Sequence, residues 1–109
     1  MRIVALADMH GNTRHLENIA HALRTADVVI LVGDLATFRH DAAVEVVEAV
    51  RAYNERLLAV PGNCDDPSLG AFLSEEGINL DGRTAIIDGV AFAGLGGSLP
   101  CPVKTPNEY

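Results

Sequence analysis

The sequence predicts an α/β fold: a mostly parallel sheet with flanking helices. Short apolar segments alternate with amphipathic ones over the first two-thirds of the chain, in the order β-α-β-α-β, and this alternation is typical of a parallel sheet. The second apolar segment is β-branched and nearly continuous, as expected of a strand that is covered on both faces. With 109 residues, of which 49% are hydrophobic, the chain can form one small domain with its own core.

The three predicted strands are short apolar runs that each end in a turn signal. They cover residues 2–7, 27–32 and 56–60. Aspartate, glycine or a Pro-Gly pair follows each run, and these residues favour turns. The three strands should therefore end cleanly, with polar residues just beyond them.

A first amphipathic helix is predicted over residues 13–24. Its apolar positions fall three and four residues apart, which is the spacing of one helix face. Asn12 or Thr13 is placed to cap its N-terminus. The predicted apolar face consists of Leu16, Ile19, Ala20 and Leu23.

A second helix is predicted over residues 41–53 and a short third one over residues 68–75. Asp41 lies in the first turn of the second helix, where a negative charge favours the helix dipole. The predicted buried stripe of that helix consists of Val44, Val47, Ala49 and Val50.

A hairpin is predicted after the third helix, with strands over residues 84–87 and 90–95. Asp88-Gly89 between them is a strong signal for a two-residue turn. The last segment, residues 96–109, contains three prolines and is predicted to be a loop.

Composition argues against several classes of protein. The net charge is −7, from 15 acidic and 8 basic residues, and a surface of that sign disfavours general nucleic-acid binding. No apolar stretch is long enough to span a membrane, and the N-terminus lacks the features of a signal peptide. Two cysteines are too few for a disulfide framework. We therefore expect a cytoplasmic protein without membrane contacts.

Polar residues follow the three predicted strands at matching places. Asp8 and His10 follow the first strand, Asp34 the second, and Asn63 and Asp65 the third. In an open parallel sheet, ligands bind outside the carboxyl ends of the strands. Each of these residues taken singly is also a good turn residue. Their repetition at successive strand ends favours a shared site over that simpler explanation.

The predicted cluster has the chemistry of a metal site. Two carboxylates brought close together repel unless one protonates or a cation lies between them. Oxygen and nitrogen ligands together suit manganese, iron, zinc, cobalt or nickel. Two such ions can stabilise an in-line displacement at phosphorus. An aspartyl-phosphate phosphatase would need an Asp-x-Asp pair after the first strand, where this chain has Asp8-x-His10.

These motifs, in this order, resemble the calcineurin-like metallophosphoesterase superfamily. The resemblance covers nearly the whole chain, and the stretch from Gly94 to Ser98 is similar to bacterial and archaeal members. The motifs that carry it are Asp8-x-His10, Gly33-Asp34 and Gly62-Asn63-Cys64-Asp65.

The resemblance implies the N-terminal half of a four-layer αββα sandwich, so that residues 1–109 form a single partial domain. It implies phosphodiester hydrolysis through a hydroxide that bridges two divalent metals, with manganese the first choice. By resemblance, Asp8 and His10 hold the first ion, Asp34 bridges both ions, and Asn63 binds the second.

The resemblance also implies catalytic roles for Asn63, Cys64 and Asp65. Asp65 would orient the group at position 64, and Asn12 is a looser match on the substrate side. The family usually has histidine where Cys64 stands. A thiol, whose free pKa is about 8.5, is a poorer general acid than an imidazolium.

The family's remaining metal ligands are histidines of a C-terminal half. The histidines here are His10, His15, His21 and His40. We expect His15 and His21 to be solvated, His40 to be a loop or cap residue with a site role as the alternative, and no role for Cys101. The chain alone should bind metal weakly and turn over little substrate. The alternative is a non-catalytic metal-binding or interaction fragment that self-associates through an exposed sheet face.

Overall fold

The computed structural model describes all residues from Met1 to Tyr109. The regular elements follow one another in the predicted order, with a 3-10 turn at Leu16–Ile19 ahead of the first helix. They are β1 Ile3–Leu6, α1 Ala20–Thr25, β2 Val28–Val32, α2 His40–Arg51, β3 Leu57–Val60, α3 Leu69–Glu75, β4 Arg83–Ile87 and β5 Val90–Gly94.

The first three strands form a parallel sheet in the order β1-β2-β3. Leu6 is in register with Leu31, and Leu31 with Ala59, so the carboxyl ends of all three strands lie at one edge. All of β3 is buried, and β2 is buried apart from Ile30, which is partly exposed, and Val32, which is exposed. The predicted fold class is confirmed.

The parallel sheet packs on both of its faces, because successive side chains of a strand point to opposite sides. On one face a cluster of 16 buried residues joins the sheet to the three helices. On the other face Leu58 and Val60 pack with Leu80 and with Phe92 of the antiparallel β4-β5 hairpin. The hairpin therefore begins a second layer beside the parallel sheet.

The first helix starts later than the sequence predicted. The predicted caps are wrong, because neither Asn12 nor Thr13 caps the helix. Asn12 Oδ1 instead accepts the Arg14 backbone N–H at 3.0 Å, a local bond that competes with helix formation. Ile19, placed on the predicted apolar face, is exposed, because the 3-10 turn that it ends has about three residues per turn.

The second helix begins one residue before its predicted start, and its buried stripe is shifted. The fully buried positions are Ala43, Val46, Val47 and Val50, a spacing of three, four and seven residues that matches one helix face. Val44 and Ala49 lie at the edge of this face and are only partly buried.

The last segment forms no helix or named strand, which confirms the predicted loop. It is nevertheless held by backbone hydrogen bonds: Ser98 and Glu108 form a single β-bridge, and the Asn107 backbone N–H donates to the Asn63 carbonyl.

The longest helix of the protein, α2, has 12 residues, which is too short to cross a bilayer.

The hairpin turn provides a test of backbone strain. Asp88 and Gly89 have φ values of 51° and 78°, as a type I′ turn requires. A methyl group at Gly89 would meet no other atom, so we expect Gly89→Ala to destabilise the protein by about 1 kcal/mol through φ alone. The measurement is urea unfolding.

Gly70 in α3 is the matched control. It also has open space around it but lies in helical backbone, so Gly70→Ala should stabilise the protein by about 0.5 kcal/mol. Two changes of the same sign would contradict this account of the turn.

Candidate metal centre

Residues with a positive φ angle are concentrated at the carboxyl edge of the parallel sheet. Of the five non-glycine residues with positive φ, three lie here: Asp8, His10 and Asp34, at 55°, 49° and 51°. Such conformations cost free energy and persist where the surroundings enforce them, often at functional sites.

Backbone hydrogen bonds hold the ends of β1 and β2 together beyond the strands themselves. Asp8 N–H donates to Gly33 O at 3.2 Å, and His10 N–H donates to Asp34 O at 3.0 Å. Asp8 and His10 are thereby fixed opposite the turn that carries Asp34.

Three of the four predicted metal ligands come together at this edge. Asp8, His10 and Asp34 each offer one ligand atom, and these atoms lie within 4.8 Å of one another. His10 Nε2 is 3.8 Å from Asp34 Oδ2. Two carboxylates beside one imidazole leave negative charge unbalanced, which a divalent cation would offset. The donor set fits borderline metals.

The side chains of His10 and Asp34 are oriented by neighbours on the protein side. Thr37 Oγ1 is hydrogen bonded to His10 Nδ1 at 2.8 Å, which leaves Nε2 toward Asp34. Cys64 N–H donates to Asp34 Oδ1 at 2.9 Å, which leaves Oδ2 toward His10. Such partners set the direction of metal ligands. Thr37 was not predicted, because a single hydroxyl in a loop carries no sequence pattern.

Asn63, the fourth predicted ligand, follows β3 at the same edge of the parallel sheet. It lines a cleft of about 190 Å³ together with Asp8 and Asp34, and Leu95 and Gly96 also line this cleft. Asn63 Nδ2 donates to Thr105 Oγ1 at 3.2 Å. The structure therefore places the fourth predicted ligand along the same cleft.

Asp65 is fully buried and holds two loops together. Its carboxylate accepts backbone N–H groups from Leu35 at 3.1 Å, Ala36 at 2.9 Å and Gly62 at 2.8 Å. The sequence predicted that Asp65 orients the group at position 64. Its oxygens bind the backbone of the loops after β2 and β3, and the second of these loops carries Cys64. These contacts are those of a positioning residue.

Cys64 is partly buried beside Asp34. Burial, and next the negative charge of Asp34, raise the pKa of its thiol, which favours the protonated form. Cys101, predicted to have no role, lies beside the same loop: its Sγ is 3.9 Å from Asn63 Nδ2, and Cys64 Sγ is 3.7 Å from that atom.

The other histidines stand apart from the cluster. His15 and His21 are exposed, as predicted. His40 Nδ1 is hydrogen bonded to Ser68 Oγ at 2.7 Å, and its ring meets Phe72 edge-on. His40 therefore links the start of α2 to α3.

Close backbone approach shapes the floor of the cleft. A Cβ added to Gly62 would lie 2.1 Å from Asp34 Oδ1, and one added to Gly96 would lie 2.4 Å from Pro61 O. Only glycine fits at these two places without moving the loops.

Comparison with known proteins gives two matches. The family model of the calcineurin-like phosphoesterase superfamily domain matches residues 1–94. A protein of Methanocaldococcus jannaschii, named uncharacterized protein MJ1162, is 34% identical over 115 aligned residues. That alignment covers all of this chain and 49% of the relative, so the chain spans about half the length of the curated relative it matches. No solved structure matches significantly.

Proposed function

Since this chain belongs to the calcineurin-like phosphoesterase superfamily, we propose that it contributes one part of a metal-dependent phosphodiesterase domain. The observation that carries the proposal is the cluster of Asp8, His10 and Asp34, whose ligand atoms lie within 4.8 Å of one another. The relative's greater length supports the idea that residues 1–109 form a partial domain.

We assign two divalent cations to this site, manganese first, with nickel, iron, cobalt or zinc as other choices. Asp8 and His10 would hold one ion and Asn63 the other, with Asp34 between them, an assignment supported by the cleft that Asp8, Asp34 and Asn63 share. When bound, the cations would lower the pKa of water and offset charge on the phosphoryl oxygens.

The protein's own groups prepare the site for a phosphate ester. Thr37 and the Cys64 backbone N–H orient His10 and Asp34 toward each other. Asp65 joins the loop that carries Asp34 to the loop after β3. A protonated thiol at Cys64 can donate a hydrogen bond to a phosphoryl oxygen. Because a thiol is a weak acid, phosphodiesters with acidic leaving groups should react best.

Hydrolysis of bis(p-nitrophenyl) phosphate in the presence of Mn²⁺ or Ni²⁺ tests the proposal. This chain and the Methanocaldococcus jannaschii relative should be assayed side by side, with p-nitrophenyl phosphate as the monoester control. We expect metal-dependent turnover that prefers the diester and is slow for this chain alone. Turnover by neither protein with any of the metals would reject the proposal.

A second candidate function is supported by apolar residues on the hairpin and the last segment. Four large side chains there are between 71% and 78% exposed, and apolar exposure of this kind favours association. They are Ile86, Leu95, Leu99 and Val103. We propose that a second copy of the chain covers them, so that the protein is a homo-oligomer whose metal-binding role need not include catalysis.

Light scattering coupled to gel filtration checks this second candidate. Ile86→Lys should shift the protein toward monomer, because a charge then lies in the contact. His21→Lys, on the exposed side of α1, is the matched control and should leave the mass unchanged. A monodisperse wild-type monomer would contradict self-association.

A further inference from the structure

The last segment of the chain, residues 98–109, closes over the loop that carries Asn63. Asn107 N–H donates to Asn63 O at 3.1 Å, and Asn107 Nδ2 donates to Gly62 O at 3.2 Å and also to Asp65 O. Ser98 N–H donates to Asn107 O at 3.1 Å. This segment lies beyond residues 1–94, to which the family match extends.

The side-chain amide of Asn63 has two different ends, and only its oxygen can bind a cation. Its Nδ2 donates to Thr105 Oγ1 at 3.2 Å. If the amide group were rotated by about 180°, Oδ1 would contact Thr105 and Nδ2 would point away from it. Nδ2 also lies 3.7 Å from Cys64 Sγ and 3.9 Å from Cys101 Sγ, but sulfur is a weak acceptor. The Thr105 hydroxyl is therefore the strongest partner that selects the end of Asn63.

Glu108 determines the direction in which the Thr105 hydroxyl proton points. Thr105 Oγ1 donates to Glu108 Oε2 at 2.6 Å. A hydroxyl has one proton, and a carboxylate can only accept. With its proton directed at Glu108, Thr105 can offer only lone pairs to Asn63, so Nδ2 rather than Oδ1 is the end that bonds to it.

Glu108 is itself held by the backbone of the same segment. Its Oε1 accepts the Cys101 N–H at 3.2 Å, and its Oε2 also accepts the Thr105 N–H. The hydrogen bonds from Thr105 lower the pKa of the Glu108 carboxyl. The group therefore stays an ionised acceptor at neutral pH, which supports the direction of the chain of hydrogen bonds.

We propose that Thr105 and Glu108 are positioning residues for Asn63. Glu108 makes the Thr105 hydroxyl an acceptor, Thr105 binds Asn63 Nδ2, and Asn63 Oδ1 is thereby directed away from Thr105 and left for a divalent cation. The inference rests on the proposed function in one respect, that Asn63 is a metal ligand.

Calorimetric titration of the chain with Mn²⁺ tests this inference. Thr105→Val keeps the shape of the side chain but removes the acceptor, and we expect the weaker Mn²⁺ site to lose affinity about tenfold. Thr105→Ser keeps the hydroxyl and should keep the affinity. Glu108→Gln should behave like Thr105→Val, because an amide N–H can then donate to the threonine and reverse its role.

A double-mutant cycle separates positioning from a general structural effect. In an Asn63→Ala background, Thr105→Val should change Mn²⁺ affinity by less than twofold, since its partner is gone. Equal losses in both backgrounds, or no loss in the single variant, would overturn the inference.

The side-chain amide of Asn63 gives a second readout that needs no metal. In ¹⁵N–¹H spectra its resonances should move in Thr105→Val and stay in place in Thr105→Ser. Unmoved resonances in Thr105→Val would also overturn the inference. Affinity changes as expected, with no diester turnover by either this chain or the Methanocaldococcus jannaschii relative, would reject the proposed hydrolysis and leave the positioning role standing.

Discussion

We expect Asp34→Asn to weaken Mn²⁺ binding by at least about 100-fold and to lower any diester hydrolysis about 1000-fold. Asp34 is the carboxylate that faces His10 at 3.8 Å and also lines the cleft with Asn63. Loss of a residue that hydrogen bonds to a metal ligand already lowers metal affinity about 10–100-fold. Loss of the charged ligand itself should therefore lower the affinity further. Metal ions contribute several kcal/mol to such reactions, which sets the expected loss of rate.

The asparagine variant should still fold, because its amide oxygen can accept the Cys64 N–H as Asp34 Oδ1 does. Glu45→Gln on the exposed side of α2 removes the same charge away from the cleft and should change neither binding nor rate. Mn²⁺ titration and the bis(p-nitrophenyl) phosphate assay measure both effects. Turnover that survives the loss of Asp34 would end the metal-site hypothesis.

Asp65→Ala should lower the free energy of unfolding by about 3–5 kcal/mol. Three backbone N–H groups, from Leu35, Ala36 and Gly62, would lose their acceptor in a fully buried place. Each unsatisfied buried donor costs about 1–3 kcal/mol. That is a large part of the 5–15 kcal/mol that usually holds a domain together.

Urea unfolding followed by circular dichroism measures this loss. The neighbouring Asp66 is a matched control: it carries the same side chain but is hydrogen bonded to Ser68 in a more exposed place. Asp66→Asn should leave the unfolding midpoint nearly unchanged. A small effect of Asp65→Ala would mean that other bonds join the two loops.

Features that depend on local patterns were predictable from the sequence. The continuous apolar run of β2 predicted a covered parallel strand, and Asp88-Gly89 predicted the hairpin turn. Their signals are strong because burial on both faces and positive φ each restrict the residues allowed. The predicted membership of the phosphoesterase superfamily is confirmed as well.

The first helix was misplaced because competing local bonds carry little pattern. Asn12 is an excellent cap by type, but its oxygen accepts the nearby Arg14 N–H. Whether such a residue caps a helix or forms a turn depends on small differences between the two arrangements.

The candidate site was predictable where topology dictates it. Because the strands are parallel, Asp8, His10 and Asp34 lie at one edge of the sheet for any conformation of the connecting loops. Thr37 and Thr105 escaped notice because hydroxyl groups are common in loops. The bond from Asn63 to Thr105 joins residues 42 positions apart, and no local pattern signals a contact over that separation.

Any side chain at Gly62 would collide with the Asp34 carboxylate, so these two positions cannot vary independently. The bare α-carbon and the Asp34 carboxylate occupy adjoining space, so enlarging one displaces the other. Libraries that randomise the loop after β3 should yield survivors with glycine at this place, whatever substrate is selected. New specificities are better sought at Leu95, which also lines the cleft and is open to solvent.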